Sequence, residues 1–206
     1  MQVILLAMLG YGVIHTWLAG AFKPVFRSRF GDRAFEGLYR ILFNIIAVVG
    51  LGMIGLLLVA MDAREPVIWT LPASLKPALL TIQAVGIIGA AVSLLQVDLG
   101  RFAGLSQLRA YMSGDPLPLP PEPLRITGVY RWVRHPLYLF SLMALWPVTV
   151  MRGAYLGFCI GATLYFMIGS LYEERRMIAE FGDAYREYQR KTAWLIPFVR
   201  QPQRGA

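Results

Sequence analysis

Glu173 and Glu174 stand side by side where a long apolar run ends, and upstream Arg131, Arg134 and His135 crowd the start of another, interleaved with Tyr130, Trp132 and Tyr138. Neighbouring carboxylates repel, and a charged residue costs about 2.5–3.5 kcal/mol at the centre of a bilayer, falling toward its surface. Two uses are open. The charges stay wet, with Glu173 paired to Arg176 one turn on and Arg131 and Trp132 against lipid headgroups. Alternatively, one or both carboxylates face a pocket that holds a cation or an amine. His135 is aimed by its backbone, because the residue before Pro136 avoids the helical region and proline suits a first helical turn. The two histidines, His15 and His135, lie far apart, and Cys159 is the single cysteine. No metal-ligand spacing and no intrachain disulfide follow from such a set.

The elements that must position these groups are membrane spans. The chain has 206 residues, of which 57% are hydrophobic and 16% charged. Residues 3–22, 41–61, 77–95 and 153–172 are uncharged runs close to the roughly 20 residues a crossing helix needs. A fifth run, 137–151, contains Pro147 and covers only ~22 Å as a helix, so it crosses only with flanking residues or in thinned lipid. The expected fold is an all-α, polytopic membrane domain of about five spans. It is read as one unit over 1–206, with N-terminal helices over 1–95 and the chemistry-bearing part over 96–197. The start of the chain lacks the basic region of a signal peptide.

Charge placement sets an expected orientation. Of the 20 Lys and Arg residues, 5 fall in 23–40, 5 in 96–135 and 7 from Glu173 onward, against 2 in 62–76 and 1 at Arg152. Alternate connections are basic, which places the N-terminus outside and the C-terminus in the cytoplasm, as in a bacterial inner membrane. The net charge of +8 is therefore a topology and headgroup signal, and nucleic acid is not an expected partner. In the tail, Ile178, Phe181, Tyr185 and Tyr188 form one apolar stripe. This predicts an amphipathic cytoplasmic helix continuing from the last span and ending before Pro197. Asn44 and Gln83 are expected to bond between helices, and Gly50, Gly52, Gly55, Gly86 and Gly89 to let helices pack closely.

The combination "RHPLY", a span, "EER" and "FGDAYREYQRK…LIP" resembles the signature of the isoprenylcysteine carboxyl methyltransferase and phospholipid methyltransferase superfamily. The resemblance covers 96–197. "FAGLSQLRAYMSG" and "MRGAYLGF" are most similar to the bacterial branch that includes methanethiol S-methyltransferase, and "GYGVIHTWLAGAFKP" and "LYRILFN" are similar to NnrU-like relatives. Two positions depart from the pattern: Phe140 stands where glycine is frequent, and Gly169 and Ser170 stand where an arginine is frequent. The resemblance implies an S-adenosylmethionine-dependent methyltransferase of the membrane, acting on a small hydrophobic or lipid-like acceptor, with a thiol or isoprenylcysteine-like group favoured. A phospholipid N-methyltransferase and a non-catalytic NnrU-like subunit are the other implied classes. Carried onto this chain, the cofactor site comprises Gln107, Tyr130, Arg134, His135, Pro136, Tyr138, Glu173, Glu174 and Tyr185. Glu173 or Glu174 would meet the cofactor's ammonium or ribose, Arg134 and His135 its carboxylate, and the aromatic rings its adenine or sulfonium. His135 is either a base or a cofactor ligand, and Arg176 is the candidate for positioning the acceptor.

Overall fold

A computed structural model describes residues 1–197. Its α-helices are α1 (Gln2–Ala19), α2 (Phe22–Asp62), α3 (Lys76–Leu95), α4 (Leu99–Ala103), α5 (Leu105–Ser113), α6 (Pro136–Leu145), α7 (Gly153–Phe181) and α8 (Asp183–Lys191). Four of the helical segments, α1, α2, Ala73–Leu95 and α7, are long and apolar enough to cross a membrane. Their surfaces fit that solvent. Val48, Leu56 and Val59 are 72%, 75% and 78% exposed, a face that is costly in water and free of cost in lipid. The chain is a helical, polytopic membrane protein. Its departure from an all-α fold, among the described residues, is a two-stranded sheet of β1 (Val67–Thr70) and β2 (Val150–Arg152).

The chain folds as two compact units. The first comprises Met1–Pro66, Asp98–Glu122 and Arg152–Gly161; the second comprises Val67–Val97, Pro123–Met151 and the chain from Ala162 onward.

In the first unit the basic segment 23–40 is helical rather than a connecting loop. Phe22, Phe26 and Phe30 recur every fourth residue, and Phe22 and Phe26 pack against Tyr39. The helix breaks only at Gly31, whose φ of 82° and ψ of 164° no β-carbon accommodates. Arg27 spans that break by pairing with Asp32 and Glu36. Asn44 bonds between elements, donating from Nδ2 to the carbonyls of Phe102 and Ala103 at 2.9 Å each, which satisfies the end of α4. Gly52 and Gly55, expected at a close helix contact, have nothing within 4 Å of a built β-carbon.

In the second unit α3 and α6 pack through glycine. A β-carbon on Gly86 would lie 2.5 Å from the backbone nitrogen of Ala144, and one on Gly89 would overlap the Phe140 ring. Phe140 therefore occupies space that Gly89 vacates. Gln83 donates from Nε2 to the Ala144 carbonyl at 3.3 Å. The fifth apolar run is only partly helical, because Pro147 stops α6 at Leu145. The remainder extends to meet β1, with the Leu71 amide donating to the Thr149 carbonyl at 2.8 Å. At the opposite end of α3, Gln96 accepts from the Val129 amide at 3.2 Å. Ten helical residues and about four extended ones together cover roughly 30 Å, the length of α3 itself.

Gly86→Ala should force α3 and α6 apart at a backbone contact, costing about 1–3 kcal/mol. A clear fall in Tm in detergent is expected, whereas Gly52→Ala should leave Tm unchanged or slightly raised. Equal behaviour of the two variants would contradict the packing described.

Candidate functional site

The site is built in the second unit by two chain reversals. The first is at His135, with φ −122° and ψ 62°, where Pro136 opens α6. The second is at Gly182, where φ +56° separates α7 from α8; the tail helix is thus a separate element rather than a continuation of the span. This break turns Tyr185, Tyr188 and Gln189 back toward Arg134. Beyond α8, the backbone at Ala193 pairs in parallel with Val133. The Arg134 and His135 amides donate to the carbonyls of Ala193 and Trp194, at 2.8 and 3.3 Å. Trp194 is held in turn by its indole N–H, which donates to Ser170 Oγ at 3.1 Å. Ser170, at a position where the sequence departs from its resemblance, is therefore buried under this tail segment.

At the centre is Arg134, whose side chain is 1% exposed. Its Nε donates to Glu174 Oε1 at 2.6 Å, and Nη1 donates to the carbonyls of Thr192 at 2.6 Å and Gln189 at 3.1 Å. Glu174 Oε2 accepts from Gln189 Nε2 at 2.9 Å. His135 lies between the carboxylates, with Nε2 3.2 Å from Glu174 Oε1 and Nδ1 3.5 Å from Glu173 Oε2. Burial pulls the His135 pKa down, but hydrogen bonds and charge from Glu173 and Glu174 outweigh it, so the imidazole titrates above its ordinary value.

Tyr138 donates its hydroxyl to Glu173 Oε2 at 3.0 Å. Its ring lies parallel to His135 at 5.4 Å and to Phe166 at 4.9 Å. Tyr188 donates to the Tyr130 carbonyl at 2.6 Å and meets Tyr185 edge-on at 5.7 Å. The Tyr130 hydroxyl is pushed up to about 12 by burial and by Glu173. Pro136 is buried and serves as the first residue of α6. Arg176 is exposed, within electrostatic reach of Glu173 and Tyr138. Gln107 lies in the first unit, where Nε2 donates to the Arg101 carbonyl at 3.2 Å. Beside Tyr130, a solvent-open cleft of about 670 Å³ is lined by Gln96, Gly128, Val129, Arg131 and Trp132.

The structure thus brings Arg134, His135, Tyr138, Glu173 and Glu174 together and adds Gln189, Thr192, Trp194 and Ser170, which sequence reasoning did not single out for the site. Gln189 alone left a legible signal, as a polar residue one turn beyond Tyr185 on the apolar stripe. The donor set suits a zwitterionic ligand with aromatic parts. One oxygen of Glu173 is left outside its two contacts, and Arg134 Nη2 is buried without a partner, a spare donor that calls for an oxygen.

The chain is similar in sequence to known proteins. A family profile described as "NnrU protein" matches residues 3–192. Methanethiol S-methyltransferase of Mycobacterium tuberculosis is 43% identical over 70 residues, 34% of this chain and 29% of that protein. Methanethiol S-methyltransferase 1 of Bradyrhizobium diazoefficiens is 37% identical over 97 residues, covering 47% and 33%. The enzyme of that name from Pseudomonas deceptionensis is 38% identical over 73 residues, covering 35% and 28%. The chain spans about a third of the length of the curated relatives it matches. No solved structure matches.

Two outcomes test the buried hub. Glu174→Ala leaves Arg134 desolvated without its counter-ion, so a loss of about 3–5 kcal/mol and a marked fall in Tm are expected. For His135, whose folded pKa is raised, the stabilisation is fully present below the unfolded value near 6.5 and is lost as pH rises through the folded pKa. The Tm advantage of the wild type over His135→Gln should therefore shrink as pH rises above about 6.5. An advantage that grows over that range would contradict the pairing.

Proposed function

The chain belongs to the NnrU protein family, and from that premise we propose that it is an integral-membrane methyltransferase that uses S-adenosylmethionine. The observation that carries the reading is the closure of two remote segments on one charged, aromatic hub. His135 and Glu174, 39 residues apart, approach to 3.2 Å. The methanethiol S-methyltransferase relatives supply the reaction class. Four apolar helices, together with the α6–β2 segment running the length of α3, support five crossings. The alternation of basic connections supports a cytoplasmic hub, an N-terminus outside and a bacterial inner membrane as the location. With Tyr185 and Tyr188 buried and its charges outward, α8 lies along the cytoplasmic interface.

S-adenosylmethionine, when bound, supplies a methyl group already activated by a sulfonium. The protein's work is then mainly to orient the acceptor and exclude water, and good alignment contributes ~7–11 kcal/mol of barrier lowering. Tyr130 and Trp132 line or border the cleft with faces suited to adenine. Both ring nitrogens of His135 face carboxylates, so it acts as a positioning residue and not as the base that takes the acceptor's proton. Arg176, exposed beside Glu173, is suited to draw in an anionic acceptor such as a thiolate. A thiolate needs no base once ionised, which agrees with the thiol acceptor named in the relatives.

The test is to incubate membranes containing the protein with radiolabelled S-adenosylmethionine and a small thiol, then separate volatile, lipid and protein fractions. Label is expected in the volatile thioether. Label in phospholipid would assign a different acceptor, and no transfer above a Glu173→Ala control would overturn the methyltransferase reading.

A further inference from the structure

We propose that the second unit carries a binding site for an anionic phospholipid at the end of α3 away from Gln96, with the lipid phosphate on Lys76 and one acyl chain in the groove below it. The inference stands independently of the methyltransferase reading. The groove follows from the change of backbone form near Pro147. A helix with its side chains is about 10–12 Å across, whereas a strand lies about 4.8 Å from its neighbour. Where α6 stops at Leu145 and the chain runs on toward β2, α3 loses the bulk of a helical partner. A cavity of about 180 Å³ lies there, between Lys76, Leu79, Leu80 and Gln83 of α3 and residues 147–150.

Position along α3 decides what the groove can take. Residues 76, 79, 80 and 83 are spaced i, i+3, i+4 and i+7, so they share one helix face. Lys76 stands at the mouth, and at 1.5 Å per residue Gln83 lies roughly 10 Å deeper. There Gln83 commits its Nε2 to the Ala144 carbonyl. Between those two ends the walls are apolar, chiefly Leu79, Leu80, Pro147 and Val148. A cation over an apolar shaft matches an amphiphile with an anionic head. The cavity is smaller than the roughly 300–1,000 Å³ of sites that enclose a small molecule, and Leu80 leaves it open on the membrane-facing side, being 52% exposed. An unfilled groove would forfeit the dispersion contacts of its walls, and an acyl chain restores them.

Lys76 supplies the sign. It is exposed, and among the described residues no carboxylate pairs with it. The helix gives the charge no partner either, because a cation in a first turn is opposed by the helix dipole. Lys76 opens a helix as long as the hydrocarbon core is thick, so it sits at the height of lipid phosphates. A phosphatidylcholine head carries its own ammonium and offers no net charge, which leaves an anionic head as the better partner.

The experiment titrates the purified protein, in an uncharged detergent, with phosphatidylglycerol and phosphatidylcholine of identical acyl chains. It reads Tm and the lipid retained in native mass spectrometry. Phosphatidylglycerol should raise Tm and stay bound, with an affinity about fivefold above phosphatidylcholine, the scale of one basic residue at an anionic surface. Lys76→Gln should remove that preference, whereas Arg64→Gln, which deletes an exposed charge of the first unit, should leave it intact. Leu80→Trp, which fills the groove, should abolish retention of the lipid. Glycerol 3-phosphate, a head without chains, should not displace it. Equal binding of the two lipids by the wild type, loss of the preference in Arg64→Gln, undiminished retention in Leu80→Trp or displacement by glycerol 3-phosphate would overturn the assignment. Should Leu80→Trp fail to fold, the comparison of Lys76→Gln with Arg64→Gln decides alone.

Discussion

The second unit depends on one buried guanidinium. Arg134 reaches three separate pieces of chain: the end of the α7 span through Glu174, α8 through the Gln189 carbonyl, and the tail through Thr192. Burying such a charge is favourable only when most of its donors are met, and that condition fails if any of these pieces moves away. The same requirement explains the break at Gly182. A continuous helix would carry Gln189 and Thr192 away from Arg134, whereas a positive-φ glycine lets α8 fold back.

The membrane explains why this hub can be so demanding. Lipid gives helices little hydrophobic reason to associate, so packing rests on close approach and on satisfied polar groups. Gly86 and Gly89 provide the approach between α3 and α6, and Gln83 with the Ala144 carbonyl provides a polar tie. The extended backbone beyond Pro147 is tolerated because β1 and the Leu71 amide take up hydrogen bonds that lipid cannot. Both devices act along α3, and they fix where α6 begins, which in turn fixes His135.

The two carboxylates of the hub are engaged asymmetrically. A hub that used every charge internally would be only a staple. Here the inner carboxylate is engaged through both oxygens by Arg134, His135 and Gln189, while the outer one meets Tyr138 and His135 through Oε2.

Local chemistry made part of this legible in the amino-acid sequence. Apolar runs of the right length announce spans, and a histidine before proline announces the start of α6. Opposed charges at Arg134 and Glu174 announced that two segments belong together. Other features depend on which groups become neighbours. That segment 23–40 is helical follows from Phe22 and Phe26 finding Tyr39, and that Gly52 and Gly55 meet no helix follows from what packs nearby. Adjacent in the chain and identical in type, Glu173 and Glu174 are indistinguishable to any reading of spacing. Only the folded chain distinguishes them, by setting Glu174 against a buried arginine and leaving the Glu173 side chain more exposed beside Tyr138 and His135.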